Sequence, residues 1–183
     1  FVLILGIYFA YSTSSLITKE KEKGSLDLLL ANPVSRVSII VEKFLSVIPS
    51  LFIINLVLPL VAYYGGKLIG ETLKLEPLFR LHLLAIPYLM ACASIGLFLS
   101  TIFDDVSKAK NISIGVIFLM YILDSLTIGT DLSWIGKFTL SRYFVPGEIL
   151  IGNEVDWIGM GILLTFTAAL VVLSSIIFKF KDI

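Results

Sequence analysis

Cysteine and histidine are almost missing from this chain: Cys92 and His82 are the single examples of each in 183 residues. One cysteine excludes an internal disulfide framework and leaves the redox compartment open. One histidine excludes an H-E-x-x-H zinc helix, and together they leave no Cys-based metal site. Charge is scarce as well: 15 % of the residues are Asp, Glu, Lys or Arg, where a soluble domain carries roughly 25 %. The formal net charge is zero, which gives no reason to expect a nucleic-acid partner. The chain also lacks a G-x-x-x-x-G-K-[ST] loop, so it does not bind ATP by a P-loop, and it lacks a G-x-S-x-G elbow. There is no low-complexity tract, tandem repeat or soluble domain.

What the chain has instead is apolar length. Hydrophobic residues make up 57 % of it, and they gather into five runs at 1–17, 37–64, 81–103, 111–129 and 157–178. A bilayer needs about 20 helical residues to cross, and continuous rather than alternating apolar runs argue against barrel strands. The expected fold class is therefore all-α, a polytopic transmembrane bundle of five spans. The first residue, Phe1, is already deep in an apolar run without a basic n-region or a small-residue cleavage site. That run reads as a span cut into at its start, not as a signal peptide. Pro49 and Pro59 predict kinks in the second run. The segment 130–156 holds Trp134 and a short apolar stretch broken by Pro146 and Gly147, and Trp157 follows it. An interfacial or re-entrant helix is expected there, with lipid contact through the aromatic residues.

Basic residues set the orientation. If residues 18–36 are cytosolic, Lys19, Lys21, Lys23, Arg36, Lys43, Lys108, Lys110, Lys179 and Lys181 lie inside, and Lys67, Lys74, Arg80, Lys137 and Arg142 lie outside. The positive-inside rule favours this arrangement, in a multi-pass protein with a cytosolic C-terminus.

The stretch from Thr18 to Arg36, TKEKEKGSLDLLLANPVSR, stands apart from the runs around it. Lys19, Glu20, Lys21, Glu22 and Lys23 alternate in sign and cannot enter hydrocarbon. Gly24 breaks the run. Ser25 and Asp27 then supply a cap and an acidic first turn for a short helix, with Leu26, Leu29 and Leu30 on one face, and Asn32 and Pro33 end it. So short a helix needs something to pack against. Read from residues alone, its leucine face either covers neighbouring span ends and the interface or forms part of a docking surface.

Small residues suggest helix packing: Cys92, Gly96 and Ser100 form one stripe, and Gly161, Thr165 and Ala169 another, both expected as seams within the bundle. Polar residues inside the runs are few. Asp124 is the one acid well inside a run; it is either a functional carboxylate or a structural group accepting from Ser125 or Thr127. Asn55 is expected to make an interhelical hydrogen bond. Both remain possible polar residues of a pathway. His82, beside Arg80 at the end of its run, reads as interfacial.

The pattern Glu20-x-Glu22-x-Gly24-Ser25-Leu26-Asp27-x-Leu29-Leu30-x-x-Pro33-Val34-Ser35-Arg36, followed by Lys43, resembles the cytosolic segment of type-2 ABC transporter permeases. RYFVPGEILIG before a Trp-led last span, with a short F-K-F-K-D-I tail, is similar to the end of the same family. The resemblance covers essentially the whole chain. Such permeases usually have six spans with both termini inside, and five spans with an outer N-terminus is what loss of the first span and its outer loop would produce. The resemblance implies the membrane subunit of an ABC exporter, without a cofactor of its own, with ATP and Mg on a partner ATP-binding subunit. It also implies a second permease copy or paralogue and a cell-membrane location. The ATPase would be docked by a coupling helix, for which it points to Glu20, Glu22, Gly24, Leu26, Asp27, Leu29, Leu30, Pro33 and Arg36. A non-transport membrane scaffold, or an intramembrane enzyme using Asp124 or His82, are the rival classes.

Overall fold

A computed structural model describes residues 1–25, 35–152 and 155–181. Among these the chain is helical, without a strand. The helices are α1 (Val2–Thr13), α2 (Thr18–Glu22), α3 (Arg36–Leu45), α4 (Ile48–Leu68), α5 (Leu75–Leu84), α6 (Ile86–Ile102), α7 (Val106–Thr127), α8 (Ser133–Gly136) and α9 (Trp157–Phe180). End to end they make five helical stretches long and apolar enough to cross a membrane: Val2–Glu22, Arg36–Leu68, Leu75–Ile102, Val106–Thr127 and Trp157–Phe180.

α6 is the axis of the bundle. Residues Ala91 to Leu97 are buried without a break, which is what a helix apolar on every side requires. α1 and α9 pack against it, and α7 closes on α1. The Cys92–Gly96–Ser100 stripe is the seam with α1. Cys92 Sγ would lie 3.1 Å from a methyl group placed on Gly6, and a methyl on Gly96 would overlap the Ala10 carbonyl and Thr13 Oγ1. Backbones therefore touch at Gly96, and Thr13 Oγ1 uses the closeness to donate across the seam to the Ala93 carbonyl at 2.7 Å.

The second stripe corrects the expectation. Gly161, Thr165 and Ala169 face outward. α9 turns Met160, Leu163, Thr167, Ser174 and Phe178 inward instead, a three-and-four spacing that puts larger residues in the seam.

Three spans are interrupted. α1 ends at Thr13, a turn follows, and the Ser100 hydroxyl accepts from Ile17 N at 2.8 Å and Thr18 N at 3.2 Å. The second stretch breaks at Ser46–Val47, so Pro49 sits in the first turn of α4, where its missing N–H costs nothing. Helix continues through Pro59. The third breaks at Ala85, with Pro87 opening α6.

The ends of the bundle differ. One gathers α2, the start of α3, the link between α6 and α7, and the end of α9; it is the polar end. At the other, residues 130–152 form short turns at Ser133–Gly136, Ser141–Tyr143 and Glu148–Gly152. These bury Leu140, Phe144 and Ile149, and Phe144 stacks on Tyr88 with ring centres 5.8 Å apart. Trp134 and Trp157 stay exposed, as interface anchors should.

Candidate functional site

The polar end is built around α2. Its stop is a local device: Gly24 adopts φ 63°, a left-handed conformation that glycine accepts freely. Gly24 N donates to the Lys21 carbonyl and Ser25 N to the Glu20 carbonyl, the paired bonds of a Schellman turn. Ser25 Oγ then donates to the Glu20 carboxylate. Leu26, Asp27, Leu29, Leu30 and Pro33, expected to form the coupling helix, lie outside the described residues. The description resumes at Ser35, whose hydroxyl caps α3 by accepting from Ser38 N at 3.0 Å.

The charges of this end sit on helix termini of the matching sign. Lys21 Nζ donates to the Thr101 carbonyl at 2.9 Å and the Phe103 carbonyl at 3.2 Å, and meets Asp104 Oδ1 at 3.3 Å. Lys181 Nζ reaches the same helix end, donating to the Ile102 carbonyl at 3.0 Å and to Asp104 Oδ1 at 2.7 Å. Two ammonium groups thus occupy the free carbonyls that close α6. Asp104, held between them, has its carboxyl kept below the ordinary range, chiefly by the hydrogen bond from Lys181.

At the opposite polarity, the first N–H of α7 faces acids. Val106 N donates to Glu22 Oε1 at 2.7 Å, and Lys108 N to Asp105 Oδ1 at 2.8 Å. Arg36 donates to the carbonyl of Lys181, the residue that closes α9, at 2.9 Å. Glu20 Oε1 pairs with Lys43 Nζ at 2.9 Å. Glu20, Glu22 and Arg36 are therefore engaged within the chain itself. The sequence names Ser100 only for packing and Lys21 and Lys181 only for charge and orientation, and it does not point to Asp104 or to the joining of the four. The signal available was the Asp104-Asp105 pair, the one acidic step between two apolar runs, which needs cations nearby.

The suspected pathway residues are not brought together. Asn55 is buried in α4, and its Nδ2 donates to the Leu51 carbonyl of its own helix at 2.8 Å, not across helices as expected. Its Oδ1 accepts nothing among the described residues. Asp124 is buried near the other end, 3.8 Å from Arg142 Nη1. Thr127 Oγ1 donates to the main-chain carbonyls of Leu123 and Asp124, not to the carboxylate. A cavity of about 360 Å³ opens beside Asp124, bounded also by Tyr121, Ser125, Ser141 and Phe144. His82 is buried within the protein: it stacks on Phe1 with ring centres 4.7 Å apart, and its Nδ1 lies 2.8 Å from the Leu78 carbonyl. Among the described residues no three His, Cys, Asp or Glu side chains converge as metal ligands would.

A family model described as ABC-2 family transporter protein matches residues 1–183, the whole chain. The chain belongs to the ABC-2 transporter family. This ABC-2 chain is a multi-pass membrane permease of an ABC transporter, a family that works with an ABC ATP-binding subunit. No curated protein and no solved structure matches it. The family agrees with the type-2 permease resemblance carried by the Glu20–Arg36 pattern, and with five helices long and apolar enough to span.

Proposed function

We propose that this ABC-2 chain is the translocation subunit of an exporter, working by alternating access and driven by a separate ATPase docked on the polar end. The observation that carries the reading is the charged stretch itself. α2 ends in a glycine turn, and the leucine-rich sequence 26–34, whose leucine spacing is that of an amphipathic helix, joins it to α3. A sequence of amphipathic spacing joined to a charged helix at the polar end of a membrane bundle is suited to a cleft in a water-soluble partner. The polar end is then cytosolic, in keeping with nine basic residues against five and with the C-terminus on the same side, and the membrane is the cell membrane. ATP and Mg belong to the partner, and no catalysis is assigned to this chain. A second copy or a paralogue completes the pathway.

Docking is assigned to Leu26, Asp27, Leu29, Leu30 and Pro33, with Gly24 as the turn that delivers them. Glu20, Glu22 and Arg36 hold the stretch in place from inside. The test is co-purification of the ATP-binding subunit with the full permease in detergent. Leu29→Asp with Leu30→Asp should abolish association while the permease stays monodisperse. Retention of the ATPase by that variant would overturn the docking assignment.

A further inference from the structure

The alternating run of α2 is read most simply as a solvated charged surface, but its middle residue is not at the surface. The Lys21 side chain is 10 % exposed. Its ammonium carries three donors, and these meet the carbonyls of Thr101 and Phe103 and the Asp104 carboxylate. A group so enclosed has nothing left to offer a partner protein. Asp104 is 72 % exposed yet receives both Lys21 and Lys181, so one carboxylate ties α2, the end of α6 and the end of α9. Glu22 adds the first turn of α7 and Glu20 adds α3.

We propose that Lys21 is the positioning residue through which movement of the docking stretch reaches the spans, with Asp104 and Lys181 completing the joint. The proposal rests on the docking reading above. α2 has five residues, too few to hold helix unaided, so its shape and place are set by these bonds. Lys21 stands one turn before Gly24, the left-handed residue that ends α2. Residues 26–34 join α2 to α3, so a pull on them acts on both, and α2 passes it on through Lys43 of α3, the end of α6, the first turn of α7 and, by way of Asp104, Lys181 at the end of α9. Were the lysine a plain helix cap, its loss would lower stability equally with and without nucleotide. As a joint, its loss separates events at the ATPase from events in the membrane.

The experiment uses the full permease with its ATP-binding subunit in lipid nanodiscs, spin-labelled at Ser46 and Lys108, with distances measured without nucleotide and with ATP plus vanadate. Wild type should retain the subunit and show a nucleotide-dependent change. Lys21→Met and Asp104→Asn should retain the subunit, while the nucleotide-dependent population ratio falls about tenfold, equivalent to ~1.4 kcal/mol of coupling. Lys21→Arg, which keeps donors on the same carbonyls, should preserve the response. Lys181→Met, at a more exposed position, reports on the joint if Lys21→Met does not fold. An undiminished response in the folded variants overturns the proposal. Loss of the subunit from Lys21→Met also overturns it, by making the lysine part of docking. Failure of wild type to retain any ATPase overturns the docking reading, and this one with it.

Discussion

Single residues at the seams explain why the bundle takes this packing and not another. At Gly96 the Ala10 carbonyl and the Thr13 hydroxyl of α1 lie where a side chain would go, so Gly96→Ala must push α1 away. Overpacking of this kind costs about 1–3 kcal/mol. Gly161 has nothing within 4 Å of where a methyl would sit. Gly161→Ala should therefore leave the thermal midpoint of the detergent-solubilised protein unchanged or raise it, since alanine favours helix over glycine, whereas Gly96→Ala lowers it. The two glycines look alike in the sequence, each belonging to a stripe of small residues four apart. What separates them is which face of the helix the longer residues claim: in α9, Leu163 and Phe178 fill the inner face and leave Gly161 outside. Spacing alone carries no information about that choice. For Asn55 and Asp124, hydropathy reveals that a polar group is buried but not which neighbour it meets; Arg142 lies 18 positions from Asp124 in the chain.

At the scale of elements, membrane was easier to read than helix. The third apolar run begins at Leu81, but helix begins at Leu75, because Glu76 and Arg80 interrupt the hydropathy of a segment that is still amphipathic. The fourth run begins at Asn111, whereas α7 begins at Val106. Its first turn is polar, and its start is fixed by Asp105 and Glu22 rather than by lipid. Loss of an acidic cap costs about 0.5–2 kcal/mol. Asp105→Ala should accordingly lower the thermal midpoint and speed amide exchange over Val106–Lys108, with Glu22 retaining part of the order at Val106. The class of fold and the five spans were legible beforehand, since both follow from composition and from the length of the apolar runs. The pairing of Lys21 with Asp104 was not, being a contact between residues 83 positions apart that only the folding of α1 beside α6 creates.

For the whole molecule the two ends make an orientation that chemistry can check. Single cysteines replacing Lys108 and Phe138, both exposed, should react with a membrane-impermeant maleimide from opposite faces, Lys108 from the cytosolic side and Phe138 from outside. Cys92 is fully buried and should stay silent. Labelling of Lys108 from outside and Phe138 from the cytosolic side would reverse the topology on which docking depends, and labelling of both from one face would contradict the span between them. The crossing at Gly96 bears on motion as well as on packing. A contact of backbone on backbone leaves no compliant side chain to absorb sliding, so α1 and α6 can change their relation mainly by rotating about that point. Such a crossing is a fulcrum: a small sweep of the polar end in one direction becomes a sweep of the aromatic end in the other.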